Sequence, residues 1–396
     1  MKAFIEEWKL LMSGKSVVIF ILTPIIMASV FGYVFKNNQI NEAPLAVVDL
    51  DHSKYSRELI GKLDASQYIS VEGVFDNDID PDMLLYNERY AAVLYLPAGL
   101  ERNRTRGVQT NIGFYVDNIV TGAVGTLRSG VSEVITTENA ALSTGSLMAM
   151  GLSNSAATGM MTSLNLQQRT LYNPTNSTMT TSVVGFVNTA MISLLGSAAL
   201  TIVPRLREAG RLSEALANPL QLVLRIVPYS LVGCVSFIMS FGILKQVGGM
   251  RFEATAFEMF IPFFIYTVLL SLFAMIIGWT AANPAKAGKR TIMIILPSFL
   301  LSGANFPVLM LPEPLQFSSK FLPLFWQLEF IRGLAFRGGK LQYFIPQFGE
   351  AILLMGGMLA VVYLLVLKER RAEHKLHRSE EKGSLSAPAS SQSISL

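Results

Sequence analysis

Residues 14–16 of this 396-residue chain read Gly-Lys-Ser, the last three letters of a phosphate-binding loop. The complete loop carries another glycine five positions earlier and lies between a strand and a helix, so that backbone N–H groups wrap the phosphates. That earlier position is Lys9, inside the charged amphipathic stretch "FIEEWKLL", and an apolar run follows Ser16. The tripeptide therefore reads as a turn, and no nucleotide site is expected in this chain. Asp49 and Asp51 in "VVDLDHS" form a second candidate. They read either as a metal or catalytic carboxylate pair at a strand end, or as an Asp turn running into a helix capped by Ser53, and the second reading is favoured. The lone cysteine, Cys234, lies in an apolar run, which excludes an intrachain disulfide and a cysteine metal site. His52, His374 and His377 are scattered, and the last two read as solvated surface in a charged tail. No nucleophile, base and orienting group converge, so an enzyme is the least supported class.

Two segments carry more information. The first, "VPRLREAGRLSEALANPLQLVLRIVPYSLVG" at 203–233, packs its charges into about a dozen positions before Pro219. Arg207 with Glu208, and Arg211 with Glu214, are placed to lie along one short helix, with Leu212 and Leu216 as apolar anchors. Two readings stand: a basic loop that only sets topology, or a short helix that docks on a cytoplasmic partner. The second segment is "LLSGANFPVLMLPEPLQFSSKFLPLFWQLEFIRGLAFRG" at 300–338. Pro307, Pro312, Pro314 and Pro323 break any continuous helix, which predicts short helices dipping back into the membrane. Irregular backbone is tolerated there only under cover of protein or water. Glu329 and Arg332, at i and i+3, are placed to neutralise each other, the alternative being an ordinary outer loop with a surface pair.

The elements that position these segments are membrane spans. The chain is 51% hydrophobic and only 15% charged, against about 25% charged in a soluble domain. A bilayer core of about 30 Å takes roughly 20 apolar residues as helix. Six stretches qualify: 16–35, 182–203, about 226–244, 259–280, about 291–309 with Pro297 inside it, and about 348–367. Lys and Arg flank the N-terminal helix of 1–15, the 203–225 loop, the 286–290 loop and the tail 368–396, which puts both termini in the cytoplasm. Lys320, Arg332, Arg337 and Lys340 stand against that distribution. The long insertion 36–181 falls on the outer side, and ten basic and fifteen acidic side chains give it a net charge of −5. Its first 80 or so residues alternate strand and helix patterns, predicting a small α/β domain, followed by long helix over about 119–170. The modest net charge of +4 argues against a nucleic-acid partner.

The segment "RLREAGRLSEALANPL" resembles the cytoplasmic coupling segment of type-2 ABC exporter permeases: Arg207, Glu208, Gly210, Leu212, Pro219 and Leu220 match by position. Arg211 replaces that family's threonine, and the following glutamate falls one residue late, at Glu214, with Leu216 further on. The 300–338 segment is similar to the family's C-terminal signature through Gly303, Phe306, Pro307, Pro312, Pro323, Glu329, Arg332 and Gly333. The resemblance implies a six-span α-helical membrane protein, with an inserted extracytoplasmic α/β domain and a re-entrant helix pair at 303–340 before the last span. It further implies a permease that pairs with a second permease subunit, identical or homologous, and with an ABC ATPase that binds the ATP and Mg, this chain holding no cofactor. Residues 205–219 would couple to the ATPase, and the outer domain would gate the exit or dock a periplasmic adaptor. Apolar spans suit a lipophilic or amphipathic cargo. The competing classes are an ion-gradient-driven secondary transporter, which should show internal repeats and ionisable residues within the spans, and a membrane-anchored receptor.

Overall fold

A computed structural model of the chain describes residues 2–13, 16–36, 42–86, 89–116, 121–154, 177, 179–304 and 307–385. They divide into two compact units, one made of residues 39–171 and the other of the remainder. Gly14 and Lys15 of the opening tripeptide lie outside the described residues. Helix α1, Lys2–Ser13, buries Ala3, Glu7 and Leu11, four residues apart on one face. Helix α2, Ser16–Val34, is apolar all round and leaves Val18, Leu22, Ile26 and Val30 exposed along one stripe.

The 39–171 unit is an α/β sandwich with the order β1 (Ala43–Asp49), α3 (Lys54–Asp64), β2 (Ile69–Phe75), α4 (Pro81–Leu85), β3 (Ala92–Leu96), α5 (Leu100–Thr105), β4 (Gly113–Val116) and α6 (Thr121–Ala149). The sheet order is β2-β1-β3-β4, with β1 parallel to both neighbours and β4 antiparallel to β3. The central strand β1 is buried nearly throughout, which is why it reads as a continuous apolar run rather than an alternating one. Its Leu45 and Val47 meet Leu59, Leu63, Leu127 and Val131 of α3 and α6 on one face, while Ala46 and Val48 meet Tyr90 and Val93 on the other. Helix α4 is little more than one turn, capped by Asp80, whose side chain accepts from Asp82 N. Of the long helix expected over 119–170, α6 covers Thr121–Ala149 and ends in a turn at Met150 and Gly151 (φ +94°), while residues 155–176 lie outside the described residues.

Asp49 and Asp51 do not form a metal pair. Asp49 accepts from the backbone N–H of Asp51 (3.0 Å) and His52 (3.2 Å) and from Ser56 Oγ (2.7 Å). Asp51 accepts from the N–H of Gly99 (2.7 Å) and Glu101 (3.0 Å), tying β1 to the start of α5. Ser53 caps α3 by accepting from Ser56 N at 3.0 Å. Every carboxylate oxygen of the pair is thus spent on turns and caps.

The other unit continues with α7 (Val184–Glu208), α8 (Leu212–Leu216), α9 (Pro219–Leu224), α10 (Val227–Gly248), α11 (Ala256–Gly278), α12 (Pro284–Gly288), α13 (Ile292–Leu301), α14 (Glu313–Ser319), α15 (Pro323–Phe330) and α16 (Ile345–Leu385). Among the described residues five stretches are long and apolar enough to cross a membrane: Val17–Val34, Val184–Glu208, Pro219–Gly248, Ala256–Gly278 and Leu341–Glu373. The expected span at 291–309 is not one continuous helix. Helix α13 has ten residues, extended by a 3-10 turn at Lys289–Thr291, and ends at Ser302 and Gly303 (φ +87°). At 1.5 Å per residue α13 covers about half of a bilayer core. The three middle spans bury 56–61% of their apolar windows inside the chain, and the first and last only 22%. Helices α7, α10 and α11 therefore form the interior of this unit, around Phe237, Phe241, Phe263, Tyr266 and Trp279. Phe263 stacks on Phe237 and Phe241 with centroids 5.4 and 5.6 Å away, within the range of favourable ring pairs.

Candidate functional site

Residues 202–225 fold as three short pieces rather than one charged helix. Gly210, at φ +66°, ends α7 in a left-handed turn: its N–H donates to Arg207 O (3.1 Å) and the next N–H, of Arg211, to Leu206 O (2.9 Å). A side chain at 210 would be strained by that φ, which is why glycine stands there. Helix α8 follows, and then α9, with Pro219 at its first position and Asn218 Oδ1 accepting from Gln221 N at 3.3 Å. The break changes the expected pairing. Arg211 and Glu214 approach to 3.7 Å, but Arg207 turns away from Glu208 to a distant partner. Leu212 and Leu216 are buried in the chain's own core, so they are not the outward anchors that their spacing suggested. The outward face carries Glu208, Gly210, Glu214 and Leu220, the last 67% exposed.

Both ends of the chain grip this segment. Glu7 of α1, 2% exposed, accepts from Arg205 Nη2 (2.6 Å), Arg225 Nη1 (2.8 Å) and Tyr229 Oη (3.0 Å). Glu6 accepts from Arg225 Nη2 (3.0 Å) and Arg211 Nη2 (3.1 Å). Burial alone would push the Glu6 carboxyl up, but hydrogen bonds and charge from Arg225 and Arg211 outweigh it and hold the group below its ordinary value. Its hydrogen bond and charge in turn raise Arg211. At the other end, Glu369 of α16 accepts from Arg207 Nη2 (2.9 Å) and from Trp279 Nε1 (3.3 Å). Arg207 Nη1 donates to the carbonyls of Trp279 (3.0 Å) and Ala281 (2.6 Å), and Arg370 Nε to that of Leu216 (2.8 Å). Buried ion pairs hold only when hydrogen bonds satisfy the remaining donors and lone pairs, and this collar meets that condition almost throughout.

Sequence reasoning missed Glu6, Glu7, Tyr229, Trp279, Glu369 and Arg370. One signal was available: Glu7 falls four residues from both Ala3 and Leu11, on the apolar face of an amphipathic helix. A carboxylate in that position requires a buried cation.

The 300–338 segment builds a second region. Pro314 and Pro323 lie in the first turns of α14 and α15, where their missing N–H costs nothing, and Pro312 is the residue just before α14. Ser319 Oγ donates to Leu301 O (2.6 Å), and Trp326 Nε1 to Lys320 O (2.9 Å), fixing α14 against α13 and the turn into α15. Arg332 donates to the carbonyl of Gly303. Among the described ion pairs none joins Glu329 to Arg332 within 4 Å, but the Glu329 charge still acts on the Arg332 guanidinium without a direct contact. Residues Ile331–Phe336 form a π-helix, whose turn is wider than that of the α-helix before it. Both side chains, with Pro307, still line one cavity of about 630 Å³. Gly333 packs under Phe344, whose ring would lie 2.2 Å from a Cβ there. Phe306 lies outside the described residues.

Two curated relatives resemble the chain over most of its length. Both are described as inner membrane transport permease YhhJ, from Escherichia coli (strain K12) and from Shigella flexneri. Each is 23% identical over 375 residues, covering 91% of this chain and 94% of the relative. Residues 15–368 match the family described as ABC-2 family transporter protein, a range that takes in the collared segment, the proline-broken segment, the first four long apolar stretches and most of the fifth. The chain belongs to the ABC-2 family and is a membrane-spanning permease subunit of a transporter.

Proposed function

We propose that this chain is the permease half of an ATP-driven exporter in the cytoplasmic (inner) membrane, moving a lipophilic or amphipathic compound outward. The ATP and Mg are bound by a separate ABC ATPase, the usual partner of this family, and a second permease subunit completes the path. In this reading both termini are cytoplasmic, residues 36–181 are extracytoplasmic, α13 serves as a short fifth span, and α14 and α15 form the re-entrant pair. The 39–171 unit gates the exit or receives a periplasmic adaptor.

The observation that carries the reading is the collar at 205–225. A surface loop that only set topology would not need a buried glutamate (Glu7) and a half-buried one (Glu6) from α1 and a clamp from Glu369 of α16. A segment that receives force does need them, because force applied to a loose loop is dissipated. The segment joins the end of α7 to the start of α10, so a push on its exposed face tilts two interior helices together. Trp8, stacked on Phe4 at 5.8 Å, lies on the helix that shares that push.

The test is extraction of the tagged chain in mild detergent, with identification of what co-purifies by mass spectrometry. The reading expects a stoichiometric soluble protein with a complete phosphate loop, and Glu208→Ala should lower transport per ATP hydrolysed while membrane insertion is unchanged. If the chain purifies alone even when co-expressed with its genomic neighbours, an ion gradient becomes the energy source and the reading fails.

A further inference from the structure

The cavity between α13, α14 and α15 has a composition that the coupling role does not use. It encloses about 630 Å³, within the range of small-molecule sites. Its wall carries three cations, Lys320, Arg332 and Arg337, and one carboxylate, Glu329. Lys320 is already engaged by Glu350 at 3.2 Å. Arg332 spends one donor on the Gly303 carbonyl and keeps the rest of its fork. Among the described residues no carboxylate lies within ion-pair distance of Arg337. Arg332 and Arg337 against Glu329 leave the wall one net positive charge, carried by guanidinium groups, which match phosphate and carboxylate oxygens two at a time. The rest of the wall is apolar: Leu309, Phe317 and Phe325 line it, and Leu309 and Phe317 are 86% and 65% exposed. In the proposed orientation these cations stand on the outer side, where the distribution that orients the chain expects few.

We propose that this cavity is a binding site for an anionic amphiphile, its acidic head held by Arg332 and Arg337 and its apolar body laid against Leu309, Phe317 and Phe325. A purely inorganic anion leaves the apolar wall wet. A neutral or zwitterionic amphiphile leaves unanswered the one net positive charge that remains after Glu329 is set against the two guanidiniums. Only the combination satisfies both halves of the wall. The inference concerns binding alone and stands whether or not the chain exports, so failure of the export reading would leave it intact.

The experiment is isothermal titration of the full chain, delipidated in a nonionic detergent, with three probes: a phosphatidylglycerol with two six-carbon chains, the phosphatidylcholine of the same chains, and inorganic phosphate. The expected result is one saturable site for the phosphatidylglycerol and none of comparable affinity for the other two. Arg337→Gln should weaken that site about tenfold, the loss of one charge-assisted contact. Phe317→Ala, at an exposed ring whose loss leaves the helix intact, should weaken it about fivefold. Arg106→Gln, in the 39–171 unit, should leave it unchanged. Equal binding of phosphatidylcholine would overturn the charge selection, and equal binding of phosphate would overturn the apolar half. Wild-type affinity in either Arg337→Gln or Phe317→Ala would remove the residues from the site and the proposal with them.

Discussion

A single carboxylate explains how a charged loop stays ordered beside a membrane. Glu7 faces two guanidiniums and a phenol, and removing it leaves the half-buried Arg205 without its carboxylate and the buried Arg225 with Glu6 alone. Losing one partner of such a group costs about 3–5 kcal/mol. Glu7→Ala should therefore abolish hydrogen-exchange protection of α1, residues 2–13, in the intact chain. Glu208→Ala, at an exposed position, should leave that protection as it was. If both variants behave alike, the buried collar does not hold α1. The 39–171 unit offers a residue-scale test against pH. Burial acts to raise the Asp51 carboxyl, but hydrogen bonds from Ser53 and from the backbone of Glu101, Gly99 and Leu100 prevail and hold it below its ordinary value. A carboxyl whose pKa is lower folded than unfolded contributes fully above the usual carboxylate range, about 4. That contribution fades as pH falls through the folded value. Exchange protection of β1 and β3, corrected for intrinsic rate, should thus drop below pH 4 in the native chain. Asp51→Asn should already be weaker by about 1 kcal/mol at pH 7 and should drop less. A steeper acid loss in the variant would contradict the assignment.

At the scale of elements, the interior helices approach so closely that two glycines differ in kind. A Cβ on Gly278 of α11 would lie 2.2 Å from the backbone carbonyl oxygen of Leu200 in α7, and backbone cannot step aside. A Cβ on Gly333 would meet only the far edge of the Phe344 ring, which can rotate. Gly278→Ala should lower the thermal stability of the purified chain by about 1–3 kcal/mol, and trimming a neighbouring side chain should not restore it. Gly333→Ala should cost less and be recovered by Phe344→Leu. The reverse order would mean that α7 and α11 are not in contact through this point. The elements themselves were largely legible. β1, β2, β3 and β4, the Ser53 cap and the proline-started helices α14 and α15 all follow from local pattern, because period, caps and breakers are local signals. The fifth span was not legible, since hydropathy at 291–309 runs on past the point where Gly303 turns the backbone. The inward burial of Leu212 and Leu216 was not legible either: a helix of five residues shows no period, and which side faces the core depends on α16 and α7.

For the whole molecule, the informative fact is that residues near both ends of the chain close on one short segment. Glu7 and Arg225 are 218 positions apart, Arg207 and Glu369 162. No local pattern links them, and a single sequence gives no sign of such pairs beyond a charge on an apolar face. Their common target makes a quantitative prediction. If α1 and α16 each merely stabilised their own surroundings, Glu7→Gln and Glu369→Gln would act independently, and their effects on stability and on transport per ATP would add. If the collar holds 205–225 as one body, the first substitution already loosens the segment, so the second finds less to lose. A double-mutant cycle should then give an interaction energy above about 0.5 kcal/mol, the level separating coupled from independent sites. The readout is transport per ATP in vesicles carrying the chain with its co-purified ATPase, alongside the melting temperature of the chain alone. Coupling in both quantities would identify the collar as one mechanical body, whereas additive behaviour in both would reduce it to two unrelated surface clamps. Coupling in transport alone would place the shared body in the assembled complex, with the partner completing what α1 and α16 begin.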